Sequence, residues 1–313
     1  MNIILLDGGL FKLLNFLKKN KIKKSDDDIV LEDADDGGKI LIEYNNKDGD
    51  VILPDALDIT EIGDNVFKSS LFGKCKITKI QSNTVKKIGK KAFKGCNKLE
   101  NVSFPRVETI GEDAFKNCSN LKDVSFPELI TIGKDAFSSG IINTANNLVK
   151  VSLPKVKTIG EDAFYGCINL KDISFPMAET IGKNAFFQCG NLTTVSFPKV
   201  ETIGEYAFDL CRNLTTVSFP KVETIGEYAF IRCSSLDCVS FPKLETIEHG
   251  AFMNCYELST FLGNPNVRFI GDNAFTEAIE DSDDRYYISL SFNVEKLGFK
   301  KVHEKDQVKY EKI

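Results

Sequence analysis

The chain of 313 residues has no tryptophan, three methionines, nine prolines and only two histidines, His249 and His303. Two histidines leave almost no material for a multi-histidine metal centre or a histidine-based catalytic pair. No apolar run approaches the roughly 18 residues that a membrane-crossing helix needs. There is no excess of positive charge either: 40 Lys and Arg stand against 45 Asp and Glu, a net charge of −5. A basic field able to hold a nucleic-acid backbone is therefore missing. The start, Met1 to Gly9, lacks a basic region, and Asp7 interrupts its apolar stretch, so it does not read as a secretory leader.

What is present in abundance is phenylalanine, at 24, and cysteine, at nine. Both are periodic. VSFPKVETIGEYAFDLCRNLTT (195–216) is followed directly by VSFPKVETIGEYAFIRCSSLDC (217–238). Isoleucines 62, 88, 110, 132, 159, 181, 203, 225, 247 and 270 anchor ten units, at spacings of 26, 22, 22, 27, 22, 22, 22, 22 and 23. A phenylalanine stands five residues after each, from Phe67 to Phe275. The two long steps place insertions near Leu71–Lys76 and Ser138–Asn146.

Within a unit, Leu-x-x-Val-Ser-Phe-Pro alternates as a half-buried strand does, and proline ends its ladder. Val-x-x-Ile-Gly reads as a bend. Ala-Phe-x-x-Cys puts Phe and Cys on one face of a short helical turn. One copy cannot bury its apolar face alone, so copies must stack.

The Ile-Gly-x-x-Ala-Phe-x-x-Cys-x-x-Leu stretch at 110–121, 159–170, 181–192, 203–214 and 225–236 resembles the BspA-like (Treponema pallidum-type) leucine-rich repeat. The resemblance implies an α/β repeat fold: a right-handed solenoid with a parallel sheet on a concave face and short helical turns on the convex face. It also implies surface recognition or adhesion. Ten strands about 4.8 Å apart predict a sheet on the order of 43 Å long. The repeats span 51–280. Residues 1–50 are expected to cap them with an amphipathic helix (Leu10, Leu13, Leu14, Leu17), an acidic linker and a hairpin joining Ile40–Ile42 to Val51–Leu53. In 281–313 a closing strand at 286–292 and a charged tail that frays are expected.

Seven cysteines lie in register: 96, 118, 167, 189, 211, 233 and 255. Without paired spacings or nearby histidines they read as a buried thiol ladder rather than ligands. Cys238 takes an outward strand position. Sixteen phenylalanines occupy core positions, which removes them as a base-stacking platform. The glycine after the anchoring Ile is a candidate left-handed position, though Glu248 replaces it in one unit so a positive φ is not obligatory throughout, and the Lys and Glu two apart after each strand form a solvated rim. An EF-hand frame over Glu32 to Glu43 fails at Ala34.

The outward strand positions form the candidate site. One rank holds Ser103, Ser125, Ser152, Ser174, Ser196, Ser218 and Ser240. The other holds Asn101, Asp123, Lys150, Asp172, Thr194 and Thr216, then Cys238 and Thr260. Together they predict a polar concave groove for a protein partner, with no catalytic set, cofactor, metal or nucleic acid. The organisation thus reads as a non-catalytic protein–protein interaction module, with an intracellular scaffold or adaptor as the alternative. The unpaired thiols and the start of the chain favour the cytoplasm, while the family resemblance favours the cell surface.

Overall fold

The computed structural model describes residues 29–45, 48–69, 75–139, 147–263, 267–280, 285–289, 294–304 and 307–313. Each repeat crosses two parallel sheets rather than one. Short strands at the Thr-Ile positions, from Ile59–Ile62 and Lys87–Ile88 through Thr109–Ile110 to Phe269–Ile270, form one unbroken sheet. With Ile29–Asp33 and Lys39–Tyr44 at its start, that sheet has 12 strands. The alternating Val-Ser strands form the other layer. It is divided into sheets of three, two and five strands: Asp48–Ile52 to Asn101–Ser103, Asp123–Ser125 with Lys150–Ser152, and Asp172–Ser174 to Thr260–Gly263. All ten expected strands are there, but not as one sheet.

The helical turns expected at Ala-Phe-x-x-Cys do not form. Left-handed residues prevent them, two in most turns: Asp113 at φ 57° and Asn117 at φ 61°, Asn184 at 52° and Gln188 at 59°. An α-helix tolerates neither. The reversals aim alternate N–H groups at the next repeat. Asp113, Phe115 and Asn117 donate to the carbonyls of Lys134, Ala136 and Ser138 at 2.8, 2.8 and 2.9 Å. The intervening N–H groups close local turns, as Cys118 does on Phe115 O at 3.1 Å. The turn layer is therefore a third inter-repeat ladder.

Inside it runs a spine of phenylalanines. From Phe67 to Phe275 successive rings are stacked 5.0–5.4 Å apart, within 10° of parallel. The spine passes the 26- and 27-residue steps unbroken, because the extra residues follow the ring position. Beside it lie Phe104, Phe126, Phe175, Phe197, Phe219 and Phe241, all buried. The seven ladder cysteines are buried too. Each Sγ donates to the Phe carbonyl of the preceding repeat, as Cys118 does to Phe93 O at 3.2 Å and Cys233 to Phe208 O at 3.1 Å. Burial pushes the thiols of Cys118, Cys167, Cys189, Cys211, Cys233 and Cys255 up and keeps them protonated donors.

The glycine that follows nine of the ten anchoring isoleucines, all but Ile247, does not have positive φ. A Cβ on Gly204 would lie 2.7 Å from the backbone carbon of Gly182, so close approach between repeats is what excludes a side chain there. At the rim, ion pairs run between repeats rather than along one strand: Lys155–Glu128 at 2.6 Å, Lys157–Glu179 at 3.6 Å, Arg268–Glu245 at 3.4 Å. Lys199 reaches the Met177 sulfur at 3.1 Å.

Both ends differ from expectation. Lys39–Tyr44 pairs antiparallel with Ile29–Asp33 and parallel with Ile59–Ile62, while Asp48–Ile52 joins Lys76–Gln81 in the other layer. The two halves of the expected 40–53 hairpin thus continue the two sheets of the solenoid. The acidic stretch is the turn of the real hairpin. Asp36 accepts from Gly38 N, Thr60 Oγ1 and Lys86 Nζ at 3.0, 3.0 and 3.1 Å, which ties it to two repeats. The leucines assigned to an N-terminal helix and Asp26–Asp28 lie outside the described residues. At the far end Arg285–Ser289 pairs with Thr276–Glu280. The tail expected to fray forms a hairpin, Phe299–Glu304 with Gln307–Lys312. Its buried Val308 and Tyr310 seal the last repeat: Asn273 exchanges two 2.8 Å bonds with Val308, and Phe275 N donates to Tyr310 Oη at 3.0 Å. Tyr44 closes the spine at the other end, 5.2 Å from Phe67.

Phe208 is fully buried between Phe186 and Phe230. Phe208→Ala is expected to destabilise by ~3–5 kcal/mol in a denaturant titration, since it removes a ring and leaves a cavity. Lys221→Ala, at an exposed rim position, should cost less than about 0.5 kcal/mol. Equal losses would refute the spine.

Asp113 generates a pH prediction. Burial would push its carboxyl up, but the Lys94 hydrogen bond and the Lys116 charge outweigh burial and hold the group below its usual value. Lys94, Lys116 and Lys91 lie 3.0, 3.3 and 3.7 Å away. A depressed folded value means that this stabilisation is present above the unfolded pKa of about 3.9 and is lost as pH falls through the folded one. Asp113→Asn, which tolerates the left-handed backbone, should therefore show a shallower decline of melting temperature on acidification than wild type. Parallel declines would mean that the lysines do not act on this carboxylate.

Candidate functional site

The alternating strands bury their central Val or Ile against the rings and present the residues on either side to solvent, which follows from the two-residue strand period. Asn101, Ser103, Asp123, Ser125, Lys150, Ser152, Asp172, Ser174, Thr194, Ser196, Thr216 and Ser218 are all exposed. Ser240 and Cys238 are half-buried. Registry brings them together: Lys150 faces Asp123 and Ser152 faces Ser125, Asp172 faces Thr194 and Ser174 faces Ser196, Thr216 faces Cys238 and Ser218 faces Ser240. The predicted residues thus occupy one face, in three blocks that follow the divided sheet.

The first division opens a groove of about 420 Å³ where Asn101–Ser103 and Asp123–Ser125 do not pair, lined by Glu100, Asn101, Asn120, Lys122, Asp123 and Asn147. Further along, Asp172 Oδ1 accepts the hydroxyls of Thr194 and Thr193 at 2.7 and 2.8 Å. These bonds, Thr194 first, hold its carboxyl below the usual range, so the face keeps this negative charge near neutral pH. Sequence reasoning missed the ends of the serine rank. Ile52 pairs with Gln81, and Gln81 with Ser103; Leu262 pairs with Ser240. Both apolar side chains are well exposed, 66% and 58%. Only the alternation of their strands could have flagged them, and both lie at the edge of the repeat pattern.

Among the described residues no group of three or more His, Cys, Asp or Glu side chains is placed to hold a metal ion. No described helix is long and apolar enough to cross a membrane.

A family model, the BspA type leucine rich repeat region, matches residues 60–177 and 157–280 in six copies. The chain belongs to this family. Among solved structures it is similar to the T. pallidum leucine rich repeat protein, at 28% identity over 69% of this chain and 91% of that one, with a TM-score of 0.52. A leucine rich cell surface protein from Faecalibacterium prausnitzii A2-165 aligns at 23% identity over 80% and 78% of the two chains, with a TM-score of 0.49. No curated protein matches. Repeats of the family generally act as non-catalytic binding modules that meet protein partners.

Cys238 is the one cysteine placed on the candidate face, and the other eight are buried. A thiol reagent added to native protein should modify Cys238 first, with the others following only on unfolding. Mass spectrometry of the labelled peptides reads the order, and early labelling of Cys211 or Cys233 would contradict the ladder.

Proposed function

We propose that this BspA-type repeat protein is a non-catalytic recognition module that holds a protein partner on the face of the alternating strands, the face expected to be concave. The observation that carries the reading is the array of exposed polar residues from Asn101 to Ser218, gathered from separate repeats onto one side. A partner there meets many weak contacts instead of one deep pocket. Asp123, Lys150 and Asp172 supply the charge that sets its orientation. Adhesion or recognition at a surface is the leading context, following the family. An intracellular scaffold is the second reading, favoured by a core holding eight buried cysteines. Impermeant labelling of intact cells separates the two.

Crosslinking in native lysate followed by mass spectrometry supplies the partner, and binding titrations then test the face. Ser125→Arg with Ser174→Arg places two bulky cations on exposed strand positions and should weaken affinity at least tenfold, about 1.4 kcal/mol. Melting temperature should stay unchanged. The matched control is Thr180→Arg with Thr202→Arg, exposed on the other sheet, and should bind as wild type does. Full affinity in the serine-face variant together with loss in the control would move the site to the threonine sheet. Single changes such as Ser196→Ala should have little effect.

A further inference from the structure

The thiol ladder has an irregular first rung. Three residues after Phe67, where seven of the nine later units carry the ladder cysteine, the sequence has Ser70. Cys75 reaches the same column from five residues further along the chain. Its Sγ lies 2.6 Å from Cys96 Sγ, and the two side chains are 1% and 0% exposed. Cys96 still makes the ladder bond, donating to Phe67 O at 3.0 Å. The end of the column thus holds two sulfurs side by side, from adjacent repeats. A disulfide holds its sulfurs about 2.05 Å apart, so bond formation needs a further approach of only about 0.5 Å.

We propose that Cys75 and Cys96 form a disulfide when the chain folds in the presence of a small-molecule disulfide, stapling the first repeat of the solenoid to the second. One of the two thiols, deprotonated, attacks the small-molecule disulfide. A mixed disulfide forms and one small thiolate leaves. The other protein thiolate then attacks the mixed disulfide and expels the second small thiolate. Two protein thiols are oxidised, one small-molecule disulfide is reduced to two thiols, and the two protons lost by the cysteines end on them. The position gives the bond a purpose. A terminal repeat stacks on a single further repeat and opens before the interior ones, and a link between residues 75 and 96 restricts that opening. The remaining ladder thiols answer to backbone carbonyls, one per repeat, and keep their protons.

The full chain is unfolded under reducing conditions, refolded in a buffer of reduced and oxidised glutathione, quenched with acid and alkylated without reduction. Peptide mapping by mass spectrometry should find one cross-link, between the peptides carrying Cys75 and Cys96. The other seven of the nine cysteines should be alkylated. The same map of Cys75→Ser should show no cross-link. Nine alkylated cysteines, glutathione adducts at either position without a cross-link, or a different predominant pair would overturn the proposal. The wild-type map decides the matter by itself, whether or not the variant folds.

Discussion

Backbone hydrogen bonds from each turn to the next repeat set the distance at which everything else in this chain must stack. Phe115 N donates to Ala136 O, Phe164 N to Ala185 O and Phe208 N to Ala229 O, each at 2.8 Å. Rings carried on that ladder can only lie about one strand spacing apart, and the observed 5.0–5.4 Å is that spacing read through side chains. The same distance forbids a Cβ on the Ile-Gly glycines, where neighbouring backbones come too close. It also brings each cysteine within reach of the preceding Phe carbonyl. That carbonyl then accepts twice, from the N–H of its own Cys and from the Sγ of the next, as Phe93 O does from Cys96 and Cys118. Ring, glycine and thiol are three consequences of one ladder.

This explains which parts of the fold were legible in the residues. Periodicity alone locates the rings, the thiols and the outward serines, because a repeat that stacks in register puts equivalent residues in columns. What periodicity does not report is conformation. Phe and Cys three apart fit a helical turn and fit the observed reversals equally well. The distinguishing signal lay two residues before the spine phenylalanine, where Asn65, Asp113, Asp135, Asp162, Asn184 and Asn273 are left-handed. Aspartate and asparagine accept that backbone more readily than most residues. Tyr206 and Tyr228 hide the pattern by adopting it against their preference, φ 53° and 54°, and their rings stack 4.9 Å apart. The pairing of Asp48–Ile52 was illegible for another reason. Two apolar runs joined by Asn, Asp and Gly read locally as a hairpin, and only the presence of two sheets in every repeat shows that each run extends a different one.

The ends of the array follow from the same constraint. A stack of identical units leaves a bare ring and a row of unmet turn groups at each terminus. The two ends resolve this differently. At the start, an antiparallel hairpin supplies the first two strands of the 12-stranded sheet and Tyr44 tilts over Phe67 at 43°. At the finish, Tyr310 meets Phe275 edge-on at 87° and accepts its N–H, while Asn273 binds Val308. A tail rich in lysine and glutamate looks like a fraying segment by composition. Here Val308 and Tyr310 alternate with polar residues, and those two are turned against the last repeat.

The candidate site is built from the positions that this scaffold leaves undetermined. Inward strand residues are held to Val, Ile or Phe by the rings, and the turn residues by backbone conformation. The outward residue beside the serine rank answers to neither, and it runs through Asn101, Asp123, Lys150, Asp172, Thr194 and Thr216 while its neighbours repeat almost without change. Variation confined to solvent-facing positions of a fixed frame lets such an array alter what it meets without altering how it folds. The serine rank resists this freedom because side chains one strand apart crowd, and small residues relieve the crowding. Charge, amide and hydroxyl therefore enter at the rank beside it, where the groove between Asn101 and Asp123 and the Asp172–Thr194 bond already break the uniformity of the face. On the proposed reading, the groups that distinguish one stretch of the face from another lie between Asn101 and Thr194.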